Sequence, residues 1–150
     1  MKKILYIILI ITIIFLGGCS NKKYDGKKFY IEDKYYSKNE FIKISNLSKV
    51  KNESYILFTY NSYCNLAKPC EETFREFMKK YDIAFLSIPY EDFKKTDLYQ
   101  TVKYAPSIII VKDGTIVSYL DANSDDDLDK YQDLEVFEKW IKKYIKTKKS

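Results

Sequence analysis

Apolar residues in this chain follow two patterns, short continuous runs and a helical spacing. Three runs rich in β-branched and aromatic residues, Tyr55–Tyr60, Ile83–Ile88 and Ser107–Val111, are typical of strands that are buried on both faces. Between the first two runs, apolar residues recur at intervals of three and four, as on one buried face of a helix. These residues are Phe74, Phe77, Met78 and Tyr81. The pattern predicts a strand–helix–strand unit with parallel strands and a right-handed crossover.

The second half of the chain predicts a hairpin and a closing helix. Lys112-Asp113-Gly114 is a turn signal, so the chain should return as an antiparallel strand over Thr115–Leu120. Upstream of the first run, Phe41–Ser45 indicates a short edge strand and Leu47–Lys51 a weak helix. A final amphipathic helix is outlined by Leu134, Phe137, Ile141, Tyr144 and Ile145.

The first nineteen residues have a three-part organisation. Lys2 and Lys3 form a basic start, and Ile4–Leu16 is an apolar stretch shorter than the roughly 20 residues that span a bilayer. The ending Leu16-Gly17-Gly18-Cys19 resembles the lipobox of bacterial lipoproteins. The resemblance implies a diacylglycerol on the Cys19 thiol, with fatty acyl chains such as palmitate, and cleavage just before Cys19. The alternative is an uncleaved N-terminal anchor. Both place the remaining chain on the extracytoplasmic side of the cell membrane.

The chain therefore divides into three segments. Residues 1–18 are interpreted as a signal peptide, residues 19–40 as a lipidated N-terminus with a polar tether, and residues 41–150 as one domain. The stretch from Ser20 to Asn39 is polar, rich in lysine and without a sustained period, as in a linker. Its tyrosines could still pack against the domain.

Composition narrows the possible chemistry. Apolar residues make up 46% of the chain and aromatic residues 17%, enough for a compact core. The formal net charge of +5 falls to +3 when Lys2 and Lys3 are removed with the predicted signal peptide. Arg75 is the only arginine. Lysines alternate with acids over most of the chain, which indicates a solvated surface and not a nucleic-acid interface. The absence of histidine excludes Ser-His-Asp triads, Cys-His proteases and histidine metal sites.

Two segments resemble thioredoxins. The run Tyr104–Gly114, with Ala105-Pro106-Ser107, is similar to the thioredoxin segment that carries the cis-proline, the central strand and the turn. The run Phe58–Cys64 is similar to the strand that leads into the redox cysteine. The resemblance covers roughly residues 41 to 145 and implies a thioredoxin-like α/β fold, a central mixed β-sheet flanked by helices.

The same resemblance implies a docking site for a substrate chain. Ala105 and Pro106 would contact the incoming chain beside the sulfurs, and Tyr63 stands where thioredoxins have a tryptophan. It also implies a cis bond before Pro106. The alternative is an ordinary trans proline that opens a strand.

The two downstream cysteines occupy the redox positions of this family with a changed spacing. Cys64 corresponds to the nucleophile and Pro69-Cys70 to the resolving position, with three residues inserted between them. Pro69 suits the first turn of a helix. If both cysteines lay in one helix, their Cα atoms would be about 9 Å apart along its axis, beyond the roughly 7 Å limit for a disulfide. Either Cys64 lies in a loop that folds back over the helix start, or the two never bond. An oxidising exterior favours the bond.

Several features bear on whether this pair reacts. A helix N-terminus and Lys68 favour a thiolate, whereas Glu71 and Glu72 oppose it. Thioredoxins also bury an acid in the preceding strand, where this chain has Ile56-Leu57-Phe58. The leading hypothesis is a thiol–disulfide oxidoreductase without a cofactor, in which Cys64 attacks and Cys70 resolves. Its partners would be exported protein thiols or disulfides, or another redox protein.

Two alternatives remain for the cysteine pair. One is a structural disulfide in a non-catalytic binding or scaffold module. The other is a peroxidase, although the proline, threonine and arginine that surround a peroxiredoxin cysteine are not in register here.

Metal sites are not predicted. The segment Asp121–Asp129 has the acidic alternation of a calcium loop, but it lacks the central glycine, and Gln132 stands where a bidentate glutamate belongs. We interpret it as a solvated loop whose acids cap the final helix. A copper site would also be incomplete, because the chain offers only Cys64, Cys70 and Met78 as ligands and has no histidine.

Overall fold

The computed structural model describes residues 24–61 and 69–148. The predicted signal peptide, Cys19, Tyr63 and Cys64 therefore lie outside the described residues. Five strands form one sheet in the order β1-β3-β2-β4-β5. They are β1 (Phe41–Lys43), β2 (Tyr55–Tyr60), β3 (Phe85–Pro89), β4 (Ser107–Lys112) and β5 (Thr115–Tyr119). β1, β3 and β2 are parallel, whereas β4 and β5 are antiparallel to their neighbours, so the prediction of a mixed sheet is confirmed.

The described residues also form four α-helices and four short 3-10 turns. The helices are α1 (Cys70–Tyr81), α2 (Tyr90–Phe93), α3 (Leu128–Gln132) and α4 (Leu134–Ile141). The 3-10 turns are Asp33–Tyr35, Leu47–Val50, Asp97–Gln100 and Asp125–Asp127. The weak helix expected at 47–51 is one of these turns. None of the helices in the described parts of the chain has both the length and the apolar content needed to cross a membrane.

The helix α1 joins β2 to β3, as the pattern predicts. All four residues of its predicted apolar face are buried, and the face packs on the sheet and on α4. The ring of Phe137 on α4 lies 5.0 Å from that of Phe74 and 5.3 Å from that of Phe77, between ring centroids. Asp133 caps α4, since its side chain accepts hydrogen bonds from the backbone N–H groups of Glu135 and Val136.

The β4–β5 hairpin turns where the sequence predicts. Asp113 and Gly114 both have positive φ angles, 49° and 77°. A Cβ atom at Gly114 would lie 1.9 Å from the carbonyl oxygen of Lys51. Glycine is required here for both its conformational freedom and its lack of a side chain.

Part of the segment predicted as a polar tether is packed into the domain. Phe29, Ile31, Tyr35 and Tyr36 are buried in the core, although they lie in the segment 19–40. The backbone N–H of Glu32 donates to the carbonyl of Ser54 at 2.9 Å, and this segment also bridges to Ile83 and Ile145. The packed domain therefore begins no later than residue 29. The sequence shows no period here because the segment crosses the end of the sheet without being a regular helix or strand.

Candidate thiol site

Cys70 is the first residue of α1, and its side chain is only 3% exposed. Pro69 precedes it with an extended ψ of 124° and acts as the N-cap, without a capping side chain. The partial positive charge of a helix N-terminus therefore lies at the Cys70 sulfur. This places Cys70 where the resemblance puts the resolving cysteine.

A cavity of about 290 Å³ opens beside Cys70, where β2 ends and α1 begins. Its lining includes Phe58, Asn61, Cys70, Glu72 and Pro106. Of the residues predicted for the site, the structure thus brings together Cys70 and Pro106. Cys64 and Tyr63 belong to the part of the chain that is not described.

Ala105 and Pro106 are half-buried and are joined by a cis peptide bond, which confirms the conformation expected before Pro106. Two side chains from elsewhere hold the backbone at this point. The side-chain amide of Asn61 donates to the carbonyl of Ala105 at 3.1 Å. The Tyr131 hydroxyl lies 2.8 Å from the carbonyl oxygen of Pro106 and 3.1 Å from that of Leu120, and it donates to them.

Tyr131 was not predicted from the sequence. It lies on α3, is buried, and packs its ring 6.0 Å from that of Phe74. Burial raises the pKa of the Tyr131 hydroxyl, and the acidic groups of Asp127 and Cys70 raise it further. The hydroxyl is therefore always a donor at physiological pH. Because its partners are remote in sequence, no local motif marks it.

The electrostatic environment of Cys70 differs from that expected of a thioredoxin. Phe58, which lines the cavity, lies in the strand where the family has its buried acid, and no aspartate or glutamate is buried within residues 24–61 and 69–148. Arg75 lies at the rim, 3.4 Å from Glu71 and with its guanidinium 4.7 Å from the centre of the Phe41 ring. The described part of the site therefore offers no buried carboxylate as a general base.

Two acids of the loop after β5, Asp121 and Asp127, form hydrogen bonds or ion pairs within this segment. Asp127 accepts a hydrogen bond from the backbone N–H of Asp121 at 2.7 Å and forms an ion pair with Lys130 at 2.7 Å. The prediction that the acids of this loop cap the final helix is wrong, because the acid that caps α4 is Asp133, just beyond the loop. Among the described residues, no group of three or more potential ligands is placed to hold a metal ion.

No family model matches this sequence, and no curated protein matches it. Among solved structures, oxidised mitochondrial thioredoxin 3 from Saccharomyces cerevisiae aligns with a TM-score of 0.50 and 17% identity, over 68% of this chain and 93% of the yeast protein. Thioredoxins from Nicotiana alata and Schistosoma mansoni each align with a TM-score of 0.48, at 16% and 22% identity. These alignments cover 71% of this chain and 93% and 94% of the two thioredoxins. The strand order and the similarity to the yeast structure show that the domain has a thioredoxin-like fold.

Proposed function

We propose that this chain is a membrane-anchored, extracytoplasmic thiol–disulfide oxidoreductase that uses Cys64 and Cys70. The observation that carries the proposal is the position of Cys70 at the start of α1, in a cavity that Pro106 also lines. A cysteine at a helix N-terminus has the environment that stabilises a thiolate. Beside it, the half-buried Ala105 offers its backbone N–H and the second lone pair of its carbonyl oxygen to a substrate chain.

The reaction proceeds by two exchange steps. The Cys64 thiolate attacks one sulfur of a substrate disulfide, forms a mixed disulfide and releases the first substrate thiolate, which takes up a proton. The Cys70 thiolate then attacks the Cys64 sulfur of the mixed disulfide and releases the second substrate thiolate. One substrate disulfide is reduced, and the two cysteines are oxidised to a disulfide. The same steps in reverse oxidise a substrate dithiol.

The attacking and resolving roles are assigned from the solvent exposure of the Cys70 side chain. Cys70 is almost completely buried, so a protein substrate has poor access to its sulfur. Asn61, three residues before Cys64 in the sequence, lines the same cavity as Cys70. Cys64 is therefore the better candidate for the attacking thiol, and Cys70 for the resolving one.

The anchor is proposed from the sequence alone. A lipid on Cys19 would hold the mature chain at the outer side of the cell membrane. Cys19 is five residues before Tyr24, the first described residue. Metabolic labelling with a fatty acid tests this. Wild-type protein should take up label and Cys19→Ala should not; undiminished label in the variant would refute the lipid anchor.

A binding or scaffold module is the second candidate, and the missing acid in β2 favours it. The stretch Ile56-Leu57-Phe58 has no group that would accept a proton during turnover, which suits a structural disulfide. The reduction potential of the purified domain separates the two functions. We expect a value above about −300 mV for exchange, and a value below it would indicate a structural bond.

A further inference from the structure

We propose that one end of the domain, the basic end, binds the surface of a bilayer that contains anionic phospholipids. The basic end consists of the exposed side chains of Lys27, Lys28, Tyr30, Lys143, Lys146 and Lys148. This binding is independent of the thiol chemistry and shares with the proposed function only the location at a membrane.

The basic end is assembled by pairing the two ends of the described chain. The backbone N–H of Phe29 donates to the carbonyl of Tyr144 at 2.9 Å, and that of Lys146 donates to the carbonyl of Phe29 at 2.7 Å. Phe29 and Ile145 are buried, whereas Lys28, which precedes Phe29, and Lys146, which follows Ile145, are exposed. Lysines from two distant parts of the sequence thus lie on one surface.

This surface has an excess of positive charge. The nearby exposed acids are Asp33, which pairs with Lys148 at 2.7 Å, and Asp25, which lies 3.5 Å from Lys112. Within the described residues, Lys28 and Lys146 form no ion pair. Lysines close to an anionic membrane each strengthen binding, and the effect is screened by salt.

An exposed aromatic side chain accompanies these lysines. Tyr30 is 52% exposed, and the Lys146 ammonium lies 5.2 Å from the centre of its ring. Tyrosine is favoured at the boundary between lipid and water because one end of its ring is apolar and the other polar. The basic end therefore combines the charge and the amphipathic group that a headgroup layer accepts.

The basic end and the Cys70 cavity lie at opposite ends of the sheet. In the antiparallel β2–β4 pair, Tyr55 faces Val111 and Thr59 faces Ser107. The cavity adjoins the Thr59 end, whereas Lys112, at the other end of β4, lies 5.5 Å from the ring of Phe29. Strands of this length separate the two by roughly 15–20 Å. A domain bound through its basic end therefore turns the cavity away from the membrane.

The test uses the chain from Ser20 without an acyl group, so that lipid attachment cannot contribute. We expect this chain to fold alone because all five described strands and the described core lie after residue 23. Sedimentation with vesicles of three parts phosphatidylcholine to one part phosphatidylglycerol should remove protein from solution, and vesicles of phosphatidylcholine alone should not. Binding should also decline steeply as salt is added.

A matched pair of variants locates the surface. Lys28→Glu with Lys146→Glu should weaken binding to the anionic vesicles at least about tenfold. Lys43→Glu with Lys103→Glu makes the same change in net charge at the other end of the sheet and should retain most of the binding. The proposal would be overturned if both double variants lost the same amount of vesicle binding. It would also be overturned if binding did not depend on salt or showed no preference for anionic vesicles. None of these outcomes involves the cysteines, so a failure of membrane binding would not contradict the proposed thiol exchange, which is tested separately.

Discussion

The side-chain amide of Asn61 donates a hydrogen bond to the backbone carbonyl of Ala105 at 3.1 Å. Asn61 follows directly after β2, and Ala105 and Pro106 directly precede β4. The bond therefore joins the two segments that border the cavity beside Cys70, and it fixes the distance between them. In the proposed reaction, the attacking thiol would approach from one segment and the substrate backbone would bind to the other.

Asn61→Ala should slow thiol–disulfide exchange more than it destabilises the fold. Loss of one hydrogen bond should cost about 1 kcal/mol of unfolding free energy. The rate of reduction of a peptide disulfide should decline about tenfold, because the cysteine segment and the Pro106 segment are no longer held in register.

The control for this prediction is Asn46→Ala. The Asn46 side chain also makes a hydrogen bond, which it accepts from the backbone N–H of Ser48 at 2.7 Å, but it does not line the cavity beside Cys70. This variant should lose similar stability and keep its exchange rate. Equal rates in the two variants would contradict a role for Asn61 in positioning the site.

Glu138 should make the stability of the domain depend on pH in the acid range. Partial burial acts to raise the pKa of its carboxyl, but hydrogen bonds from Lys142, Lys80 and Tyr81 outweigh it and lower the pKa from 4.5 to about 2. Because the pKa is lower in the folded state, this stabilisation is complete above the unfolded value of 4.5. It is lost as the pH falls toward 2.

Urea unfolding of Glu138→Gln measures this contribution. The variant should be about 2 kcal/mol less stable than the wild type near neutral pH, and the difference should shrink as the pH falls from 4.5 toward 2. Glu135→Gln, exposed on the same helix, should change stability by less than about 0.5 kcal/mol. A difference for Glu138→Gln that does not change with pH would show that the carboxylate charge does not stabilise the fold.

The N-terminal segment should be required for folding. Phe29, Ile31, Tyr35 and Tyr36 are all buried, and each large side chain removed from a core costs about 1.5–3 kcal/mol. A chain that begins at residue 41 should therefore be unfolded by circular dichroism, whereas a chain that begins at residue 24 should melt cooperatively. Limited proteolysis should cut before Phe29 and spare 29–40. Similar melting temperatures for the two chains would contradict this boundary.

Local patterns predicted the parts of the fold that depend on local contacts. The strand β2 and the buried face of α1 follow directly from an apolar run and a helical spacing. Local patterns did not predict the packing of the N-terminal segment, because the residues that it contacts are distant in sequence. The Tyr36 hydroxyl, for example, donates to the carbonyl of Lys146 at 2.8 Å across 110 positions of sequence.

The same distinction applies to the candidate site. The positions of Pro69, Cys70 and Pro106 were predicted from the resemblance to thioredoxins. Asn61 and Tyr131 were not, because each acts on a backbone carbonyl that is distant in sequence. An asparagine or a tyrosine carries no spacing signal for such a contact, so only the assembled fold identifies it.

Trapping of mixed disulfides in living cells tests the central proposal, thiol–disulfide exchange with Cys64 as the attacking residue. Without the resolving thiol, the bond between Cys64 and its substrate cannot be released. Cys70→Ser should therefore accumulate adducts that are visible on a non-reducing gel and disappear on reduction. Cys64→Ser should trap few, and the double serine variant none. If Cys70→Ser yields no adducts and both single variants lose stability alike, by about 2–4 kcal/mol, the bond is structural and the proposed exchange is wrong.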